Sequence, residues 1–335
     1  VTIDGSQNAT FAQAANLPNT FGFKNRIING AMVIDQRNAG ASQTITGGVS
    51  TLAFNCDRWQ VRSAGANATV QQVATNNTYR MVFTGAASVS AVAASQSIEV
   101  LNCVDLAGSN ATLSLVAKST SLTSLTLEAY YANTTNTFGT WGSPTVTSIG
   151  TQAVTISSTE STVSWTFAVP AAATTGIQIR ITSGALLATQ TLTIGNVQLE
   201  KGTTATSFDW RPYTNELQLC QRYYYRQNAS GTSFSMFGTS WNESTTRATG
   251  QVKFPVTMRI RPTALEQSGT ASNYTILHAA TNTTCSAVPA YEAYTNTEIG
   301  VFYFTVASGL AAGQGSALSS ANNNSTAYLG WSAEL

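Results

Sequence analysis

His278 is the single histidine of a 335-residue chain, and its neighbours Ile276 and Leu277 give it no polar partner. That count excludes multi-histidine metal sites and leaves a Ser–His–Asp hydrolase only one candidate base. His278 is read as a satisfied surface or interface histidine. Glycoside hydrolysis needs two carboxylates about 5–9.5 Å apart, one protonated and one ionised. Glu292 and Glu298, which flank Tyr291 and Tyr294 in PAYEAYTNTEIG, come nearest to that pattern, and a solvated loop is the plainer reading of them. A depolymerase built on a β-helix would show a repeat period, and none is visible. The chain is therefore expected to be non-enzymatic and to use no cofactor.

Binding a sugar asks for less: a flat ring for CH contacts and a few amides or hydroxyls beside it. Tyr130 falls on the polar parity of LTSLTLEAYY, and Trp141 lies in the turn-rich TTNTFGTWGSP. Trp241 in FGTSWNESTT, with Tyr291 and Tyr294, occupies polar loops farther along. These five are the candidate glycan contacts, and a cap over the core is the plainer alternative for each. Cys56, Cys103, Cys220 and Cys285 are scattered without a CxxC pair, so zinc is not expected. Two disulfides are arithmetically possible, but four isolated cysteines are read as reduced, buried apolar side chains.

The elements that must carry these residues are strands. Charged residues are only 9% of the chain, against about 25% in an average domain, while hydrophobic residues reach 43%. Ser, Thr and Asn fill the gap, and with aromatics at 9% the composition is that of an all-β protein and not of a disordered one. Net charge is +1 with no basic run, so nucleic-acid binding has no electrostatic footprint. No stretch approaches the roughly 18 apolar residues of a membrane-spanning helix, so membrane insertion is not expected. The first twenty residues show neither a basic nor a hydrophobic signal region.

Period-two alternation marks 122–131, 163–169, 177–181 and 252–258, each with one apolar and one polar face. In 252–258 Pro255 points to an edge strand or a bulge. In TLTIGNVQL (191–199) the apolar parity slips at Gly195-Asn196, and a bulge there would return both halves to the core, as would a plain loop. One helix is expected over 214–226, where Leu217, Cys220 and Tyr224 recur at helical spacing and Thr214 or Asn215 can cap. The first 24 residues are too poor in apolar side chains to form a core alone. They are read as a β-rich stem for attachment and self-assembly.

Two motifs are familiar. NRIINGAMVIDQRNAG (25–40) followed by CDRW (56–59) resembles the opening of a β-sandwich module of bacteriophage tail fibres and related virion appendages. NVQLEKGTTATSFDWRPYTNELQLCQRYYYR (196–226) resembles that module's exit, and YLGWSAEL (328–335) resembles the usual ending of such proteins. The resemblance implies a galactose-binding-like jelly roll over 25–213, similar to carbohydrate-binding modules. A connecting segment at 214–226 and a distal β-sandwich-like domain over 227–335 would follow it, and the polar loops of that distal domain make it the expected receptor-binding part. It also implies a homotrimer in the virion, assembled in the host cytoplasm, joined to other virion proteins by its N-terminus and bound to host surface polysaccharide. The alternative is a capsid decoration or fibre-anchoring adaptor with no receptor role.

Within the matched segments, Asn29-Gly30 suits a tight turn, Asp57 and Arg58 could pair beside the core, and Tyr223 to Tyr225 would span the joint. Trp59, Trp165 and Trp331 are assigned to packing. Asp35, Glu200 and Asp209 could hold Ca²⁺, since hard cations take clustered oxygens, although no calcium-loop spacing supports it.

Overall fold

The computed structural model describes residues 2–3, 9–10, 23–48, 53–231 and 233–335. The stem expected over 1–24 lies almost wholly outside the described residues; of it, Thr2–Ile3 pairs antiparallel with Ala9–Thr10. The chain is all-β apart from one α-helix and three short 3-10 turns among the described residues.

Two six-stranded antiparallel sheets make the jelly roll. The front sheet runs, from edge to edge, Val146–Thr155, Ser124–Ala132, Ile177–Ser183, Ala91–Ile98, Gln60–Ala64 and Ala53–Phe54. The back sheet runs Ser161–Ala168, Asn110–Ser119, Thr191–Lys201, Thr78–Thr84, Ala68–Thr75 and Gln43–Ile45. The apolar parities face inward: Leu125, Leu127 and Ala129 pack with Ile177, Ile179 and Ile181 against Leu113, Leu115 and Ile194. The slip at Gly195 is a bulge. Register shifts between Gly195 and Gln198, Asn196 takes a φ of 46°, and Leu192, Ile194, Val197 and Leu199 are all buried. Asn29 takes the left-handed turn conformation, and Gly30 serves a different need, because a Cβ there would lie 2.1 Å from the Val197 carbonyl.

A second sandwich packs a seven-stranded sheet against a three-stranded one. Its core holds Trp331, Phe302, Phe304, Phe254, Phe237 and Tyr274, their rings mostly edge-on to one another. The strand expected through 252–258 stops at Lys253. Pro255 cannot donate to a ladder, so the chain leaves the sheet there. Phe254 and Met258 stay buried because their amides bond Glu298 and Thr297 carbonyls at 2.8 and 2.9 Å.

The helix is shorter than its periodicity suggests, Tyr213–Gln221, and Tyr224–Asn228 is already a strand of the second sandwich. Its N-cap is Pro212, with no side-chain cap, so neither Thr214 nor Asn215 plays that part. Instead the buried Glu216 accepts the Asn29 amide and sits 3.3 Å from Arg211. Beyond the helix lies the joint. Tyr223 and Tyr224 are fully buried there, and Tyr225 stacks on Trp331 at 6.0 Å. Asp57 and Arg58 do not pair with each other. Arg58 meets Glu334 and donates to the Ser97 carbonyl at 2.6 Å, with its guanidinium 3.6 Å from the Tyr223 ring. Asp57 accepts the Gln36 amide at 2.9 Å. Arg37 lies on the Tyr224 ring at 3.5 Å and also reaches Glu334, at 3.4 Å. Two ends of the sequence are thus locked together through one carboxylate.

Candidate functional site

The polar parity of the front sheet faces away from the core, and pairing sets its side chains in rungs. Thr126 stands opposite Thr182, which stands opposite Ala93 and then Arg62. The next rung is Glu128, Arg180, Ser95 and Gln60, and the next joins Tyr130, Gln178 and Ser97. Sequence alternation places Gln178 and Arg180 between three core isoleucines, so both must point to this face.

Over the rungs lies the loop that carries Trp141. Phe138 is buried and pins its base, and the Ser143 amide bonds the Thr140 carbonyl at 3.2 Å, closing a turn with Trp141 at its corner. Gly139 takes a φ of 71°, where a Cβ would lie 2.3 Å from the Ser143 carbonyl, so only glycine allows the loop to fold back this tightly. The result brings together three residues, Tyr130, Trp141 and Arg180. The Arg180 guanidinium lies 4.4 Å from the Tyr130 ring centroid and 4.5 Å from that of Trp141, and both rings are half-buried. Arg62 approaches the same indole at 5.4 Å.

Hydrogen bonds fix the arrangement. Arg180 Nε donates to Gln178 Oε1 at 2.7 Å, and Gln178 Nε2 donates to Ser97 Oγ at 2.9 Å. The Tyr130 hydroxyl donates to Glu128 at 2.6 Å, and Thr182 donates to its other oxygen at 3.2 Å. Burial, then the Glu128 hydrogen bond and charge, push the Tyr130 hydroxyl up to about 12, with Arg180 opposing, so it stays a neutral donor. The face offers two flat rings, amides, hydroxyls and two guanidinium groups. That set suits a polar ligand with CH faces, and no nucleophile–base pair is present on it.

The three aromatics of the second sandwich do not converge. Trp241 is 46% exposed and shares its sheet face with Thr249 and Tyr303. Tyr291 stands opposite the core residue Phe302, hence on the other face, and its hydroxyl donates to the Pro262 carbonyl at 3.0 Å. Tyr294 is 75% exposed on the loop beyond. Glu292 pairs with Arg247 and Glu298 accepts from Thr257, so these two carboxylates serve separate partners. His278 Nε2 bonds Thr283 at 2.8 Å.

Asp35 accepts its own loop amides from Asn38 and Gly40, both at 2.9 Å, while Glu200 accepts the Thr206 amide at 2.8 Å and Asp209 the Asn25 amide at 3.2 Å. No group of three His, Cys, Asp or Glu that could hold a metal occurs among the described residues. All four cysteines are free and buried. Sequence reading missed Arg62, Arg180, Gln178 and Glu128 as site residues. Their one signal is polar parity, which they share with every solvated strand face.

An all-β chain opening with a jelly-roll sandwich and carrying an aromatic, amide-rich sheet face defines the class. No family model and no curated protein matches the chain. Among solved structures it is similar to a CBM4 carbohydrate-binding module, at 16% identity and a TM-score of 0.33, over 52% of this chain and 98% of that one. A family 11 carbohydrate-binding module from Clostridium thermocellum, in complex with a mixed-linked tetrasaccharide, is similar at 13% identity and a TM-score of 0.30, over 50% and 99%. The enzymatically active domain of bacteriophage CBA120 tailspike protein 4 is similar at 14% identity and a TM-score of 0.32. That match covers 53% of this chain and 22% of the tailspike chain.

Proposed function

We propose that this chain is a non-catalytic, glycan-binding protein of a bacteriophage appendage that attaches the virion to host surface polysaccharide. The observation that carries the reading is the Tyr130–Arg180–Trp141 stack on the polar face of the front sheet. Two half-buried rings are held at fixed separation by a buried cation, so little side-chain freedom is lost when a sugar docks. The appendage assignment draws on the motifs at 25–40 and 196–226. Assembly as a homotrimer through residues 1–24, with that end joined to other virion proteins, completes the proposal. Three weak sites engaged together would gain about 10²–10⁴ in avidity.

The test is capture of the full chain on an array of bacterial surface polysaccharides. Truncating an anchor ring costs about 2 kcal/mol, or roughly 30-fold, at a binding hot spot. Tyr130→Ala and Trp141→Ala should each show that loss, while Trp241→Ala and Tyr294→Ala stay within about twofold. The reverse pattern would move recognition to the second sandwich. Capture of no polysaccharide would return the protein to the adaptor role.

A further inference from the structure

Twelve arginines occur in the chain, and ten of them are held by a carboxylate or a backbone carbonyl. The two exceptions are Arg62 and Arg180, and both lie on the face just described. Arg180 is 8% exposed, and its one hydrogen bond among the described residues runs from Nε to Gln178. Its two terminal amino groups, the best donors for a planar anion, are unspent. Arg62 makes no ion pair or hydrogen bond among the described residues, and its buried Nε has no acceptor. Buried guanidinium donors without acceptors are costly, at about 1–3 kcal/mol for each group left unmade. Arg62 carries one such donor at Nε, and with Arg180 it puts two guanidinium groups without a carboxylate partner among the described residues on one indole.

The rungs set how the two arginines stand to each other. Arg62 and Arg180 stand on opposite sides of the central strand Ala91–Ile98, whose outward residues between them are the short Ala93 and Ser95. The floor is low there, and the arginines rise on each flank with Trp141 above. Glu128 stands directly beside Arg180, but its two oxygens are engaged by Tyr130 and Thr182, and it forms no ion pair among the described residues. It lies on the side of Arg180 away from Arg62. The groups facing Arg180 are thus Tyr130, Glu128 and Arg62, and burial together with the Arg62 charge lowers its pKa against the other two. An incoming anion would offset the repulsion between the two guanidinium groups.

We propose that Arg62 and Arg180 receive the carboxylate of an acidic sugar, so that the polysaccharide read by this face carries uronate- or sialate-type residues. The inference rests on the glycan-binding reading of the same face. A guanidinium presents paired N–H groups that match a carboxylate edge, and hydrogen bonds to a charged acceptor are about twice as strong as neutral ones. Tyr130 and Trp141 would meanwhile contact the CH faces of the ring, as a flat neutral sugar surface requires. Sulfate esters share the anionic chemistry but present a tetrahedral group, and the experiment separates the two.

Full-length protein is titrated with polygalacturonate, hyaluronate and polysialic acid. Each is paired with its carboxyl-reduced, neutral counterpart, and dextran sulfate and plain dextran are run alongside. At least one carboxylated polymer should bind ten-fold or more tighter than its reduced partner. That gap should close in Arg62→Gln and Arg180→Gln and narrow as salt screens the charges. Arg62→Lys, which keeps the charge without the planar fork, should restore only part of it. Far-UV circular dichroism and the thermal midpoint of each variant should match the parent, since both side chains lie on the outward face of the sheet and not in the core. Equal binding of acid and reduced polymers, dextran sulfate outcompeting every carboxylate, or indifference to both glutamine variants would each overturn the proposal. A neutral polymer bound in a Tyr130-dependent way would overturn it while leaving the glycan-binding reading intact. Loss of all Tyr130-dependent binding would remove both.

Discussion

Replacing Glu334 by alanine removes the carboxylate that ion-pairs with both Arg37 and Arg58 at the joint. The three side chains are 6%, 12% and 2% exposed, so the guanidiniums left behind cannot be rehydrated without opening the contact. Breaking a buried pair by deleting one partner costs about 3–5 kcal/mol. Arg58 would keep the Ser97 carbonyl at 2.6 Å and the Tyr223 ring, and Arg37 the Tyr224 ring. Those surviving partners place the expected loss at the lower end, about 3 kcal/mol. The comparison is Arg26→Ala, which breaks a pair with Asp105 whose side chains are 25% and 46% exposed. Such a pair is worth about 0–1 kcal/mol. Urea denaturation of the full chain, followed by tryptophan fluorescence, measures both. A double-mutant cycle of Arg58→Ala with Glu334→Ala should give a coupling above about 1 kcal/mol, as contacting residues do. Losses for Glu334→Ala no larger than for Arg26→Ala, or strictly additive single mutants, would refute the reasoning that this carboxylate locks the joint.

Other expectations concern protons, packing and thiols. Burial raises the Asp57 carboxyl from 3.8 to about 6, against Arg37 and the Gln36 hydrogen bonds. Because the folded chain holds that proton more tightly than the unfolded one, the stabilisation is full below about pH 4 and is lost as pH rises through 6. The stability of the parent minus that of Asp57→Asn should therefore fall between pH 4 and 7, and a flat difference would contradict the assignment. At Gly300 a Cβ would sit 2.7 Å from Trp331 and 2.9 Å from Phe254. Gly300→Ala should cost about 1–3 kcal/mol by overpacking, read as a lower midpoint in thermal near-UV circular dichroism. Burial pushes the Cys103 and Cys285 thiols up to about 12, and all four cysteines are buried. A thiol reagent should label none within minutes natively and four after denaturation; fewer than four would mean oxidation.

The alternation in 122–131, 163–169 and 177–181 was enough to assign strands and their inward faces, because side-chain direction in a strand depends only on residue parity. The bulge at Gly195 was legible for the same reason: two buried pairs of opposite parity require one extra residue between them. Trp59 and Trp331 were readable as core, whereas Trp165, on an edge strand, is only partly covered. The stop at Lys253 was hidden. Period two continues to Met258, but strand membership depends on a partner's carbonyls, and Pro255 has no N–H to offer them.

Tyr130 and Trp141 were visible as unburied rings, yet nothing local links them to Arg180. That meeting needs the strand Ile177–Ser183 to lie beside Ser124–Ala132, a pairing of segments some fifty residues apart in sequence. Arg62 joins from still farther away, through Ala91–Ile98. Glu334 reaches Arg58 across a separation of 276 residues. Local sequence determined which way each side chain points, because that is a property of the backbone pleat. Only the tertiary structure decided which pointing side chains meet, because strand order is set by closing a shared core and not by neighbours along the chain.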